Sequence, residues 1–175
     1  GKLSGADMVV YLLEKSRLTY QQPLERCYHA FYNLMSDEVP DLKEKCLLTN
    51  DIMDYWYVSQ GKITVPSIDD REDMQFANEA FDVLGFSQDQ KYDVFKNTAC
   101  MMHMGNMTKD FVPVGKEEQA EIKNEDNSIK VAALMGIDCE WMVNYFCKPK
   151  LKVGAEWVTK GQTINQASSS VAGIA

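Results

Sequence analysis

Four lysines near the end of the chain lie in a pattern that predicts a basic β-hairpin. Residues 150–153 alternate polar and apolar side chains, and Gly154 with Ala155 fits a two-residue turn before a returning strand. This segment carries a net charge of +3, whereas the whole chain carries −8, which leaves −11 for the remainder. A basic projection on an acidic body predicts an acidic partner. Its charged residues are Lys148, Lys150, Lys152, Lys160 and Glu156.

Two interpretations of this hairpin stay open from residue chemistry alone. The lysines could simply protect an exposed strand edge from pairing with other chains. Alternatively, Trp157 beside the charges and Leu151 on the apolar face suit a protein interface. The residue types do not decide between these interpretations.

Other chemistries find little support in the sequence. There is no Gly-x-x-x-x-Gly-Lys-Ser/Thr phosphate loop, and His29 and His103 lack nearby ligand partners. Asp69 and Asp70 fit the acidic start of a helix better than a metal pair. We expect no catalytic residue, no cofactor and no metal site in this chain.

Composition restricts the class of protein further. The chain has 175 residues, 45% of them hydrophobic, and a pI near 4.8, which predicts one domain and argues against nucleic acid as the main partner. No apolar run is long enough to span a membrane. Five widely spaced cysteines without a Cys-x-x-Cys pair predict free, buried thiols in a reducing compartment.

Apolar spacing predicts a mainly α fold. One helix is predicted from Pro23 to Ser36, a shorter one over Pro40 to Leu48, and another that is opened by a capping box of Ser67 with Asp70. Residues 55–65 are predicted to be irregular with one short strand. The helix opened at Ser67 is predicted to stop at a Schellman motif at Gly85, and the next is predicted to run from Ser87 to Gly105. A short helix is predicted over Ile129 to Met135, ended by Gly136. Another is capped by Asp138 and ends at Cys147, and the last is opened by a capping box at Thr163.

Two segments outside the helices have distinct predictions. Ala6 to Leu13 is a short apolar run that predicts a buried strand whose partners lie elsewhere. Thr108 to Ser128 is charged and aperiodic, which predicts a long functional or solvated loop. Because the chain begins without Met and its last helix shows no stop signal, we expect a segment of a longer protein.

Eight motifs in register over nearly the whole chain closely resemble the myosin heavy-chain motor domain, most of all the conventional class-II striated-muscle type. They are Tyr11-Leu12-Leu13-Glu14-Lys15-Ser16-Arg17, Glu25-Arg26-x-Tyr28-His29-x-Phe31-Tyr32, Ile68-Asp69-Asp70, Ala80-Phe81-Asp82-Val83-Leu84-Gly85-Phe86, His103-Met104-Gly105-Asn106-Met107, Glu117-Glu118-Gln119-Ala120-Glu121, Lys148-Pro149-Lys150-x-Lys152-Val153-Gly154 and Val158-Thr159-Lys160-Gly161-Gln162.

The resemblance implies that residues 1–175 cover most of the upper 50-kDa subdomain of a motor. Residues 1–20 would hold an edge strand of the transducer sheet and its exit. Residues 108–128 would be surface loop 4, and residues 148–163 the cardiomyopathy loop that docks on actin. The implied actin contacts are Lys148, Lys150, Leu151, Lys152, Glu156, Trp157 and Lys160, and the implied loop 4 contacts are Lys109, Lys116, Glu117 and Glu118.

The resemblance also implies a function for the parent protein. It would be a cytoplasmic, actin-activated Mg-ATPase of the myofibril. Its partners would be the actin filament, the rest of the heavy chain and, through loop 4, tropomyosin. This segment would supply the upper jaw of the actin-binding cleft and would be inactive alone. The alternative is a free-standing acidic helical interaction module unrelated to a motor.

Overall fold

A computed structural model describes residues 5, 7, 9 and 14–175 of the chain. The strand predicted over Ala6 to Leu13 lies outside the described residues, apart from residues 7 and 9. The described part is mainly α with two small antiparallel hairpins, which confirms the predicted class. Its helices are α1 (Ser16–Thr19), α2 (His29–Leu34), α3 (Leu42–Lys45), a 3-10 turn (Ile52–Asp54), α4 (Asp70–Val83), α5 (Gln88–Asp110), α6 (Asp126–Met135), α7 (Cys139–Cys147) and α8 (Ile164–Ile174). Its strands are β1 (Phe111–Val114), β2 (Gln119–Ile122), β3 (Lys150–Val153) and β4 (Glu156–Thr159).

The centre of the core is α5, which packs against α2, α6 and α8. Its buried face is rich in methionine, whose flexible side chains fill irregular spaces between helices. Met102, Met104 and Met107 are completely buried on this helix, and Phe146 of α7 and Val171 of α8 join the same cluster. The two hairpins therefore stand on a packed helical body.

Local signals define α4 and the start of α5 well. Asp69, not Ser67, caps α4, because its carboxylate accepts the N–H groups of Arg71 and Glu72. The capping box predicted at Ser67 is therefore wrong by two residues. The Schellman stop is confirmed: Gly85 has a φ of +81°, and the Phe86 N–H donates to the Phe81 carbonyl at 2.9 Å. The start predicted at Ser87 is confirmed as well, and Ser87 forms a capping box with Gln90 there.

Two predicted helix boundaries are wrong for tertiary reasons. The helix predicted from Pro23 begins only at His29, because upstream backbone groups bond outside a helical ladder. The Cys27 N–H donates to the Tyr32 hydroxyl at 3.1 Å, and the Glu25 carbonyl accepts the Lys62 N–H at 2.7 Å. The predicted end at Gly105 is wrong because α5 continues to Asp110.

The other predictions have mixed outcomes. The helix predicted over Pro40 to Leu48 is confirmed only as the four-residue α3, and residues 55–65 form no strand. The ends of α6 and α7 and the caps at Asp138 and Thr163 are confirmed. The long loop predicted over Thr108 to Ser128 is wrong, since most of it forms the end of α5 and a β-hairpin.

Candidate functional site

The hairpin of β3 and β4 projects from the helical body as the sequence predicts. Its register pairs Lys150 with Thr159 and Lys152 with Trp157, and all eight strand residues are exposed. Gly154 has a φ of +63° in the two-residue turn, which suits a primed turn. Cross-strand partners share a face, so the two lysines lie beside Trp157 on one side. Leu151 and Val158 form the opposite, apolar side.

The lysines of this hairpin remain available for a partner. Among the residues that the structure describes, Lys150, Lys152 and Lys160 form no ion pair. Lys148 differs: it is half-buried, and its Nζ lies 3.4 Å from Glu121 Oε1. Three ammonium groups on a fully exposed ribbon form a concentrated positive field on an acidic body.

A second hairpin, β1 and β2, replaces the predicted loop over residues 108–128. It pairs Phe111 with Ile122 and Val114 with Gln119, and its turn holds Lys116, Glu117 and Glu118, all exposed. Lys109 lies apart from them at the base, where its Nζ is 3.6 Å from the centre of the Trp56 ring. The four residues predicted as one contact set are therefore divided between the tip and the base. That division follows from the two-stranded pairing.

The turn end of the β1–β2 hairpin is joined to the base of the β3–β4 hairpin, an arrangement that sequence reasoning missed. The Ala120 N–H donates to the Gln162 carbonyl at 2.7 Å, and Gln119 forms a β-bridge with Thr163. Gly161 lies so close that a Cβ there would be 2.5 Å from Gln119 Cδ. The one sequence signal was the glycine, which permits this close approach.

Sequence reasoning also missed two exposed aromatic residues beside the basic hairpin. Trp141 and Tyr145 lie one turn apart on α7, and their rings stack with centroids 5.9 Å apart and an interplanar angle of 24°. They are 62% and 52% exposed. Their spacing of four residues, outside the apolar face of α7, is the signal that could have indicated a surface pair.

Thiol chemistry is not favoured at the buried cysteines. Burial raises the pKa of the Cys27, Cys46 and Cys100 thiols to about 11, so these groups are protonated at neutral pH and weak as nucleophiles. All five cysteines are free, as predicted. Cys139 is half-buried rather than buried, because it begins α7 at the surface. The described residues contain no cluster of three or more possible metal ligands.

His103 is a buried structural residue of α5. It is 1% exposed, its Nε2 lies 3.1 Å from the Cys46 carbonyl oxygen, and its ring packs edge-on against Tyr55. Burial lowers the pKa of His103, the hydrogen bond to Cys46 opposes this, and Lys130 adds to the lowering.

This lowered pKa predicts a loss of stability in mild acid. The folded state favours the neutral imidazole, so the stabilisation is complete above the unfolded pKa of about 6.5 and is lost as pH falls through the folded pKa. We expect the melting temperature to fall between pH 7.5 and pH 5.5 and the fall to be smaller in His103→Gln. His29→Gln, a change at an exposed histidine, should keep the original profile. Equal profiles for all three proteins would contradict the prediction.

Comparison with known proteins shows the family to which this chain belongs. The family model described as "Myosin head (motor domain)" matches residues 1–175. The chain is 45% identical over its whole length to "Myosin-3" of Caenorhabditis elegans and to "Myosin-3" of Caenorhabditis briggsae. The chain belongs to the myosin head family and resembles the class-II type. It spans 9% of the length of these relatives.

Family membership implies a nucleotide and Mg²⁺ in the parent protein, and the residues of this chain do not fit such a group. The sequence lacks the Lys-Ser/Thr end of a phosphate loop, since its three Gly-Lys pairs are followed by Leu3, Ile63 and Glu117. No phosphate-binding step is therefore assigned to this chain. Among the described residues, no helix is both long enough and apolar enough to cross a bilayer.

Proposed function

We propose that this chain is one segment of an actin-based, ATP-driven motor and supplies the upper jaw of the actin-binding cleft. Residues 148–163 would be the cardiomyopathy loop that docks on actin. The observation that carries this proposal is the exposed β3–β4 hairpin, with three lysines that pair with no acid in the described part of the chain. Family membership argues against the alternative of a free-standing interaction module.

The hairpin suits electrostatic capture followed by closer docking. Lys150, Lys152 and Lys160 would attract acidic groups on the filament and raise the association rate in a salt-sensitive way. Leu151 is 47% exposed and Trp157 is 67% exposed, so both can bury apolar surface once the hairpin has docked. Glu156 at the turn would fix a negative charge there without phosphorylation. Lys148, held near Glu121, would mark the edge of the contact.

The β1–β2 hairpin would act as loop 4 within residues 108–128. Its exposed tip, with Lys116, Glu117 and Glu118, is the part able to reach the filament or tropomyosin. Lys109 lies on Trp56 and would support the base instead. Residues 1–20 would join the transducer sheet of the same motor, and the working place of that motor would be the cytoplasmic myofibril.

The parent protein would be an actin-activated Mg-ATPase, with nucleotide held by other parts of the heavy chain. This chain would be inactive alone, because it would transmit filament binding rather than perform hydrolysis. Its role would be to present the two hairpins on a rigid helical body.

A charge reversal in a complete motor domain that carries this chain tests the proposal. We expect Lys150→Glu to weaken actin affinity on the order of tenfold at low salt, because it turns an attraction into a repulsion. The salt dependence of affinity should also decrease. ATP turnover without actin should be unchanged. Co-sedimentation with actin across a salt series measures these effects.

Lys62→Glu is the matched control for this test. Lys62 is exposed, lies away from both hairpins in sequence and gives the same change in net charge. We expect it to keep nearly full affinity. Equal affinities for the two variants at every salt concentration would reject a docking role for the hairpin.

A further inference from the structure

An open groove of about 430 Å³ lies at the base of the basic hairpin, between α7 and the ends of β3 and β4. One wall belongs to the helix and the other to the hairpin, so the groove continues directly from the surface assigned to actin above. Its lining includes Trp141, Asn144, Tyr145, Lys148, Lys150 and Thr159.

The helical wall is a rigid aromatic surface. Trp141 stacks on Tyr145, and Tyr145 meets the buried Phe146 edge-on with centroids 5.6 Å apart. The Phe146 ring is 2% exposed and anchors the pair to the core. Two large aromatic side chains held in place and more than half exposed are typical of the central residues of protein interfaces.

The hairpin wall supplies positive charge. Lys150 has no ion-pair partner among the described residues, and Lys148 makes one half-exposed pair with Glu121 that contributes little and can exchange for another carboxylate. Asp138 and Glu140, the acids of α7, do not line the groove. The groove therefore combines aromatic faces with two ammonium groups, and this charge is complementary to an acidic peptide segment.

We propose that this groove binds an acidic segment of the same actin subunit that the β3–β4 hairpin docks on. The proposal rests on the function proposed above. Lys150 and Thr159 belong to both surfaces, so a segment seated in the groove must lie next to whatever the hairpin binds. The aromatic pair contacts the apolar stems of that segment, and the lysines pair with its carboxylates.

Truncation of the aromatic wall in a complete motor domain tests the groove. Trp141→Ala lowers actin affinity about fivefold to tenfold, because it removes a rigid aromatic contact. The dependence of affinity on salt stays as in the unaltered motor, since no charge changes. Trp141→Phe retains most of the affinity. The matched control is Phe76→Ala on α4, because Phe76 is 56% exposed and lies outside the groove.

The outcomes separate the groove from the hairpin. If Trp141→Ala equals Phe76→Ala while Lys150→Glu still weakens binding, the groove proposal is wrong and the hairpin proposal stands. If Lys150→Glu also has no effect, the proposed function itself fails. A decrease in the salt dependence for Trp141→Ala would indicate a displaced hairpin and would overturn the direct contact.

Side-chain oxidation footprinting on the same motor gives a direct readout. Oxidation of Trp141 and Tyr145 decreases when actin is added, whereas oxidation of Phe76 does not change. Equal oxidation of Trp141 with and without actin overturns the proposal. If Trp141 becomes more protected from oxidation as the motor concentration rises without actin, a second copy of the chain occupies the groove. That result also overturns the proposal.

Discussion

A motor domain in which Asp70 is replaced by asparagine should lose about 3–5 kcal/mol of local stability around α4, because the change leaves a buried guanidinium without its counter-charge. Asp70 forms an ion pair with Arg26, whose side chain is 6% exposed. The Arg26 guanidinium also lies 3.7 Å from the centre of the Tyr32 ring. The pair connects the segment before α2 to the first residue of α4.

Removing one partner of this ion pair is costly because several polar atoms of the pair already lack a hydrogen-bond partner. Arg26 Nε and Nη1 and Asp70 Oδ1 are buried without a hydrogen-bond partner in the described structure. The Asp70→Asn change would keep the volume of the side chain but not its charge, so the desolvated cation would have no compensation. The ion pair therefore adds little net stability. Its main effect is to restrain how the segment before α2 packs against α4.

Hydrogen exchange of the amides in α2 and α4 measures this loss as a lower opening free energy. The matched control is Glu72→Gln, which removes one exposed acid from the same first turn and should cost only about 0.3–1 kcal/mol through the helix dipole. A double change, Arg26→Met with Asp70→Asn, should recover most of the loss. A loss in Asp70→Asn no larger than in Glu72→Gln would show that the pair is unimportant.

Local sequence signals predicted the parts of the fold in which neighbours in the chain interact. The stop at Gly85, the helix start at Ser87, the capping box at Thr163 and the hairpin turn at Gly154 each depend on residues within five positions. These signals are physically complete within the segment itself. The basic hairpin, which is the main part of the candidate site, was predictable for the same reason.

Contacts between distant residues decided the features that sequence missed. The Lys62 N–H donates to the Glu25 carbonyl from 37 positions away, and the helix predicted from Pro23 begins six residues late. The β1–β2 hairpin lacks strong alternation, and β2 is held on its far side through Ala120 and Gln162. No local pattern encodes such bonds. The groove beside the basic hairpin was missed because it joins α7 to strands on either side of a turn.

Gly105 shows how one residue type can be misread. Its position predicted a helix end, yet α5 continues past it to Asp110. A Cβ at this position would lie 2.6 Å from Cγ of the buried Tyr57. The glycine is therefore required by packing between α5 and the segment before α4, not by the backbone conformation.

Replacing Gly61 with alanine should destabilise the fold by about 3 kcal/mol, the upper part of the range for overpacking. A Cβ at Gly61 would meet the carbonyl oxygen of Glu25 and lie 2.6 Å from that of Gln22. These are backbone atoms, which cannot rotate away as a side chain can. The displacement would also break the bond that the Lys62 N–H donates to the Glu25 carbonyl at 2.7 Å.

The same substitution at two other glycines provides an internal comparison. Gly105→Ala gains up to about 1 kcal/mol of helix propensity but must move the Tyr57 ring, so we expect a smaller net loss than at Gly61. Gly173 in α8 has nothing within 4 Å of its Cβ position in the described structure, so Gly173→Ala should be neutral or stabilising. Hydrogen exchange should rank the stability losses as Gly61→Ala, then Gly105→Ala, then Gly173→Ala. Equal effects at all three positions would mean that backbone entropy, rather than these close approaches, governs them.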